Sequence, residues 1–295
     1  CQELSTKSLL STNSLLSSKL SLIPGRHGEN FLSCCIFLRE VSGQFLLSVV
    51  LFFLFITFNR REPVHVMDSG KLSLCATPIG NLEDISFRVL RVLKEADCIA
   101  AEDTRNSIKL LNHFAIKTPM TAYHEFNKVE KARDLVSRLQ RGENIALITD
   151  AGTPCISDPG EELVRQAVDA GIRVESIPGP AAFVTALTLS ALPTRRFVFE
   201  AFLPTEKSNK KERTAILQSL AGEERTILLY EAPHHLLKTL EDLRDAFGEN
   251  RKLSLARELT KKHEEVLYTD LEEAIRKYRE EEPRGEYVLV LEGLS

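Results

Sequence analysis

Several stretches of this chain follow a short apolar run with more acids, hydroxyls and turn residues than packing needs. The longest is "ITDAGTPCISDPG", Ile148 to Gly160. Gly permits positive φ and close approach of backbone to a ligand, Pro fixes φ, and Asp and Ser bond to nearby backbone groups. A shaped loop at the carboxyl end of a strand is where open α/β sheets bind small molecules; a stiff surface turn is the plain alternative. "AAEDTR", Ala100 to Arg105, sets Glu102, Asp103 and Arg105 together at another strand end, as an ion pair or as a substrate contact. "LLYEAPHH" (228–235) and "LARELTKKHEE" (255–265) repeat the pattern, and in "SIPGPAAF" (176–183) small residues after a Pro-Gly-Pro turn let a helix start close to a ligand.

Other chemistries lack their motifs. The first such loop, "ATPIGNLEDIS", has one Gly where a dinucleotide fold needs G-x-G-x-x-G, and the chain contains no Walker A sequence. His234 and His235 are adjacent, so their rings diverge, and no carboxylate or Cys stands at ligand spacing; no metal site is expected. No Cys pair has C-x-x-C spacing, and Cys75, Cys98 and Cys155 read as reduced thiols.

The elements that must position these loops alternate from Leu72 onward. Strand patterns cover 72–76, 98–101, 120–123, 144–149 and 173–176, with helical periodicity over 87–96, 129–140 and 161–170. This βαβ order predicts a mostly parallel sheet covered on both faces. After a break near Leu192-Pro193, strands are predicted at 197–200, 226–230, 252–256 and 287–292, and helices near 213–220, 235–247 and 271–278. The expected fold class is α/β, with two tandem units, 71–192 and 193–295, and a cleft between them. The charged runs "EKSNKKER" (206–213) and "RKYREEEPRGE" (276–286) read as solvated loops or faces.

Residues 1–66 differ from the rest. They are Ser/Leu-rich and then almost purely apolar ("FLLSVVLFFLFITF", 45–58), and the first Met is Met67. They are expected to lie outside the core, as a reading-frame extension or as a signal or transit segment anchored through 45–58. This segment carries six of the 38 Lys/Arg and four of the 42 Asp/Glu, so the remainder holds 32 against 38, a net of −6. An acidic chain is no general polyanion binder; nucleic acid would have to meet a local basic surface.

In order, "TPIGNLEDIS", "IAAEDTR", "ITDAGTPCISDPG", "PGPAA", "FLP", "YEAPH", "ARELTKKHEE" and "GEYVLVLEG" resemble the 16S rRNA (cytidine-2′-O)-methyltransferase family, of the tetrapyrrole methylase fold. The resemblance covers essentially all of 71–293. It implies a cytoplasmic homodimer that uses S-adenosyl-L-methionine (SAM), without a metal, to methylate a ribose 2′-hydroxyl of a cytidine in small-subunit rRNA. It also implies cofactor contacts from Pro78, Asp150, Gly152, Thr153, Ile156, Asp158, Ala181, Tyr230, Arg257 and Leu259. Phe126 stands where the family commonly has His, and His235 where it commonly has Arg; bacterial members often continue into a small helical domain beyond the point where this sequence ends.

Such a reaction needs in-line positioning, exclusion of water and removal of a hydroxyl proton. A Lys of lowered pKa or a nearby carboxylate would accept it, with cations steadying the oxyanion. Lys261 with Glu258, and Asp103 with Arg105, are the candidate catalytic groups, base and orienter not being distinguished. Two alternatives remain: a tetrapyrrole or cobalamin-precursor methyltransferase of the same fold, disfavoured by "TPIGN" in the first loop, and a SAM-binding module without catalysis.

Overall fold

The computed structural model describes residues 69–294. The expectations for residues 1–66, the apolar run 45–58 among them, lie outside the described residues.

The first sheet is built from β1 (Lys71–Cys75), β2 (Cys98–Ala101), β3 (Met120–Ala122), β4 (Ile145–Ile148) and β5 (Arg173–Ile177). Every pairing is parallel, in the order β3-β2-β4-β1-β5. Around it lie α1 (Phe87–Glu95), α2 (Thr104–His113), α3 (Lys128–Gln140) and α4 (Glu161–Asp169). Two starts are capped by side chains: Ser86 Oγ accepts from Val89 N at 3.1 Å, and Asp103 Oδ1 from Arg105 N at 2.8 Å.

Alternation along the strands feeds two cores. Leu72, Ala100, Ile145 and Leu147 pack on one face with Leu135, Leu139 and Leu163. Cys75, Ile99, Ala101, Ala146 and Ile148 pack on the other with Val89, Leu93 and Leu111. Leu163 N is met by the hydroxyl of Tyr123, a ring with no exposed surface.

The strand order fixes where a crevice opens. From β1 the chain crosses β4 to reach β2, and from β4 it crosses β1 to reach β5. The loops leaving the neighbours β1 and β4 therefore part in opposite directions, which is the switch point where open α/β sheets bind ligands.

The chain then runs through α5 (Ala182–Leu189) into the second sheet: β6 (Phe197–Phe202), β7 (Thr226–Glu231), β8 (Lys252–Arg257), β9 (Glu265–Asp270) and β10 (Tyr287–Leu291), with α6 (Glu206–Ala221), α7 (Pro233–Phe247) and α8 (Leu271–Glu280). The order is β6-β7-β10-β8-β9, parallel only between β6 and β7. Leu229, Leu255 and Leu289 face the helices on one side. On the other, Leu228, Ala256, Val288 and Val290 meet Ala186 and Leu187 of α5 and Ile79 of the β1 loop, so the two sheets share one packed contact.

The reading of one charged run is corrected at a single residue. "EKSNKKER" lies within α6, kinked at Asn209, and its last residue is buried: Arg213 Nη2 is 2.9 Å from Asp242 Oδ2 and Nη2 also bonds Thr239 Oγ1 at 2.9 Å. "RKYREEEPRGE" is solvated as expected along most of its length, and its exposed Glu286 stands at the rim of the cleft described next. Among the described residues no helix is long and apolar enough to cross a membrane.

Candidate functional site

The β1 and β4 loops are tied together at the switch point. Thr77 N donates to Gly152 O at 2.8 Å and Gly152 N to Thr77 O at 3.0 Å, an isolated antiparallel bridge. Gly152 sits at φ +84°, where a side chain is strained. The same loop holds Cys155 at φ 72° and Ser157 at φ 62°, and the loop after β8 holds Glu258 at φ 49° and Thr260 at φ 65°. Such positions persist only where the surroundings fix them, and they gather at binding sites.

A cavity of about 380 Å³ opens between these loops and the second sheet. That is the size of a small-molecule site, and its wall is mixed as such sites are. The β4 loop contributes Gly152, Thr153, Ile156 and Asp158, the turn before α5 Ala181, the end of β7 Tyr230 and Glu231, and the turn after β8 Glu258, Leu259 and Lys261. Thr153 Oγ1 donates to Pro180 O at 2.9 Å, and the Tyr230 hydroxyl accepts from Phe183 N at 3.3 Å. Phe183 and Tyr230 line the cavity and Phe199 backs them, stacked on Phe183 with centroids 4.5 Å apart and edge-on to Tyr230 at 5.0 Å.

The cavity's charge is mostly negative. Burial lifts the Asp158 carboxyl to about 7, helped by the charge of Glu102; the Thr149 hydroxyl lies near enough to offset this in part without hydrogen-bond geometry. Glu231 is buried and accepts from Ala232 N at 2.8 Å and from the Thr239 hydroxyl. Lys261 Nζ lies 2.8 Å from Glu258 Oε1 and 2.8 Å from Glu286 Oε2. Burial pulls this amine down, but the two carboxylates together outweigh it and leave its pKa raised. The bond from Lys261 holds the Glu258 carboxyl below its usual range.

The expected residues divide among three places. Gly152, Thr153, Ile156, Asp158, Ala181, Tyr230 and Leu259 line this cavity, with Glu258 and Lys261. Pro78 and Asp150 line a neighbouring cavity of about 290 Å³. Arg257 lines neither and pairs with Glu265 at 3.6 Å. Asp103 and Arg105 also stand outside both cavities: Arg105 Nη2 is 2.6 Å from Asp103 Oδ2, and this bond with the backbone cap pulls the half-buried Asp103 carboxyl to about 2. The lowered Lys pKa expected for a base is therefore not found at Lys261, and Asp103 is an N-cap. Asp158 is the lining carboxyl poised near neutrality.

Sequence reasoning passed over Phe183, Phe202, Glu231 and Glu286 as lining residues. Their signal lay in the quoted motifs: "PGPAAF" and "YEAP" place Phe183 and Glu231 one or two residues from expected contacts, whereas Phe202 in "FLP" and Glu286 in "GEY" stand far from any in sequence. Among the described residues no group of three or more His, Cys, Asp or Glu could hold a metal ion.

Residues 71–275 match the family described as Tetrapyrrole (Corrin/Porphyrin) Methylases. A Synechocystis protein named Ribosomal RNA small subunit methyltransferase I is 52% identical over 226 residues, 77% of this chain and 80% of that protein. A Pseudomonas aeruginosa protein of the same name is 53% identical over 207 residues, 70% and 72% of the two chains. Among solved structures, uroporphyrin-III C-methyltransferase from Thermus thermophilus, complexed with S-adenyl homocysteine, superposes with a TM-score of 0.54 at 20% identity, over 76% of this chain and 97% of that one. The two-sheet architecture, the loops meeting at its switch point and the match along 71–275 lead to one conclusion: this chain belongs to the tetrapyrrole methylase family.

Proposed function

We propose that the chain is a SAM-dependent methyltransferase acting on the ribose 2′-hydroxyl of a cytidine in small-subunit rRNA. The observation that carries this reading is the cavity itself: the motif-rich β4 loop, the Pro-Gly-Pro turn and the turn after β8 converge on one apolar pocket edged by carboxylates. The names borne by relatives about half identical to it support the substrate class.

The residues fit such a cofactor. Gly152 at φ +84° keeps the wall free of a side chain there, Ile156, Ala181 and Leu259 supply apolar surface, and Tyr230 supplies an amphipathic ring. Asp158 and Glu231 offer acceptors to a cationic ligand. When bound, SAM supplies an electrophilic methyl group carried on a sulfonium.

The chain's own residues would do the rest. The aromatic wall of Phe183 and Tyr230, backed by Phe199, excludes water, which strengthens every charge interaction inside. Asp158, with its carboxyl near neutrality, accepts the hydroxyl proton at a carboxylate oxygen. Lys261, held as an ammonium by Glu258 and Glu286, steadies negative charge developing on the ribose oxygen. A cytoplasmic homodimer is part of this reading, tested by sedimentation of the purified chain and by cell fractionation.

Incubation of the chain with methyl-labelled SAM and unmethylated small ribosomal subunits, followed by nucleoside mass spectrometry, tests the reaction. The expected product is 2′-O-methylcytidine. Label entering uroporphyrinogen and not RNA would replace this reading by the tetrapyrrole one.

A further inference from the structure

The second cavity is not absorbed by the site just described. It lies against the opposite side of the Thr77–Gly152 bridge, and the two loops supply both cavities in turn. Pro78 and Gly80 line it while Ile79 lines the first; Thr149 and Asp150 line it while Ala151 and Gly152 line the first. Its far wall is α2, through Asn106, Ser107, Lys109, Leu110 and His113. At about 290 Å³ it would take a single base-sized group.

Its lining contains a polar group that the fold leaves unused. Ser107 is 5% exposed and its Oγ has no hydrogen-bond partner. Thr149, 2% exposed, also lines the cavity, but its hydroxyl is turned to the Asp158 carboxyl of the first. A buried hydroxyl without a partner is costly, so Ser107 points to a ligand that satisfies it. Beside it Asn106 Nδ2 donates to Asp150 Oδ2 at 3.0 Å, which orients a carboxylate that still has acceptor capacity.

We infer that this cavity is the nucleobase pocket and that it reads a cytosine. The inference rests on the proposed rRNA reaction and names its specificity-determining residues. The Asp150 carboxylate accepts from the exocyclic amine of cytosine, the contact an acid makes with that base, and the hydroxyl of Ser107 donates to its ring nitrogen. Uracil presents a carbonyl at the amine's place and is repelled by the carboxylate. Gly80, on the wall of the second cavity, packs directly against the turn after β8: a Cβ there would fall 2.5 Å from Lys261 Cγ and 2.7 Å from Thr260 Oγ1. In this reading the ribose joined to that base lies toward the turn that carries Lys261.

The test is binding of cytidine 5′-monophosphate against uridine 5′-monophosphate by the full chain saturated with S-adenosylhomocysteine, followed by saturation-transfer NMR. The expected result is a preference for the cytidine nucleotide of roughly tenfold, the scale of one good base contact. Asp150→Asn should erase that preference and Ser107→Ala should weaken cytidine binding severalfold, both with S-adenosylhomocysteine affinity unchanged within about twofold. Equal binding of the two nucleotides by the parent chain overturns the inference. So does an Asp150→Asn chain that keeps the preference and loses S-adenosylhomocysteine, which would return Asp150 to the cofactor. A chain that discriminates the nucleotides but methylates no small subunits keeps the pocket and loses the proposed reaction; one that methylates rRNA while binding both nucleotides equally does the reverse.

Discussion

Thr77 and Gly152 exchange both of their backbone hydrogen bonds, at 2.8 and 3.0 Å, although they belong to loops from different strands. This pair closes the switch point of the first sheet and divides the space above it in two. The position needs φ +84°, and a Cβ at Gly152 would also stand 3.4 Å from Ile79 Cγ2. Gly152→Val should therefore lower S-adenosylhomocysteine affinity by more than tenfold and cost about 1–3 kcal/mol of stability. Calorimetry and urea unfolding measure the two. Parental affinity in the valine variant would place the cofactor elsewhere.

Lys261 acts here through its charge. Lys261→Met should lower the single-turnover methylation rate by about a hundredfold, the scale of one lost electrostatic donor, while Lys261→Arg recovers part of it. The acid limb of the pH–rate profile should stay where it is in both. Loss of that limb in the methionine variant would make Lys261 the base after all. Its exposed neighbour Lys262 should behave differently: Lys262→Met weakens RNA binding and reduces its salt slope by about one unit.

The pH dependence follows from Asp158. Its carboxyl rests at about 7 in the folded chain against 3.8 ordinarily, first because it is buried and then because Glu102 is near. The folded state thus binds this proton more tightly than the unfolded chain does, so the stability it confers is fully present below about pH 4 and is lost as pH rises to about 7. In urea unfolding, Asp158→Asn should gain on the parent across that window and run parallel to it above. In single-turnover kinetics the same variant should lose about a hundredfold in rate and its acid limb near pH 7. A variant that retains that limb assigns the proton to another group.

Arg213 carries a structural prediction. Its guanidinium is buried, with Nε 2.9 Å from Asp242 Oδ2, Nη1 3.0 Å from Pro204 O and Nη2 2.9 Å from Thr239 Oγ1. Thr239 in turn donates to Glu231 of the first cavity. Arg213→Ala should cost about 3–5 kcal/mol in unfolding, because it strands the Asp242 carboxylate. A loss under 1 kcal/mol would show that Lys238, 2.7 Å from Asp242 Oδ1, is partner enough.

The strands of the first sheet were legible to within one or two residues because each is a short apolar run between turn signals, as in "CIAA" and "IALI". Helix α2 was not. Its first residues sit in "AAEDTR", which reads as a charged loop until Asp103 is seen capping Arg105 N. Strand β9 was hidden behind "RELTKKHEE", and the antiparallel character of the second sheet is invisible to alternation alone. Link length would have revealed it, since 258–264 between β8 and β9 is too short for a parallel crossover.

The site was legible as loops and not as a geometry. Pro78 and Asp150 stand within two residues of true lining positions, but neighbours in a loop face opposite ways, and the bridge sends them to the second cavity. The protonation of Lys261 depends on Glu286, twenty-five residues away in sequence and adjacent only because β10 pairs with β8.

The measurement closest to the central claim is a map of 2′-O-methylation on small-subunit rRNA from cells lacking this protein, beside cells carrying the parent chain or Asp158→Asn. The account predicts that one methylated cytidine disappears without the protein, returns with the parent chain and does not return to parental level with Asp158→Asn. An unchanged methylation map in cells lacking the protein would contradict it.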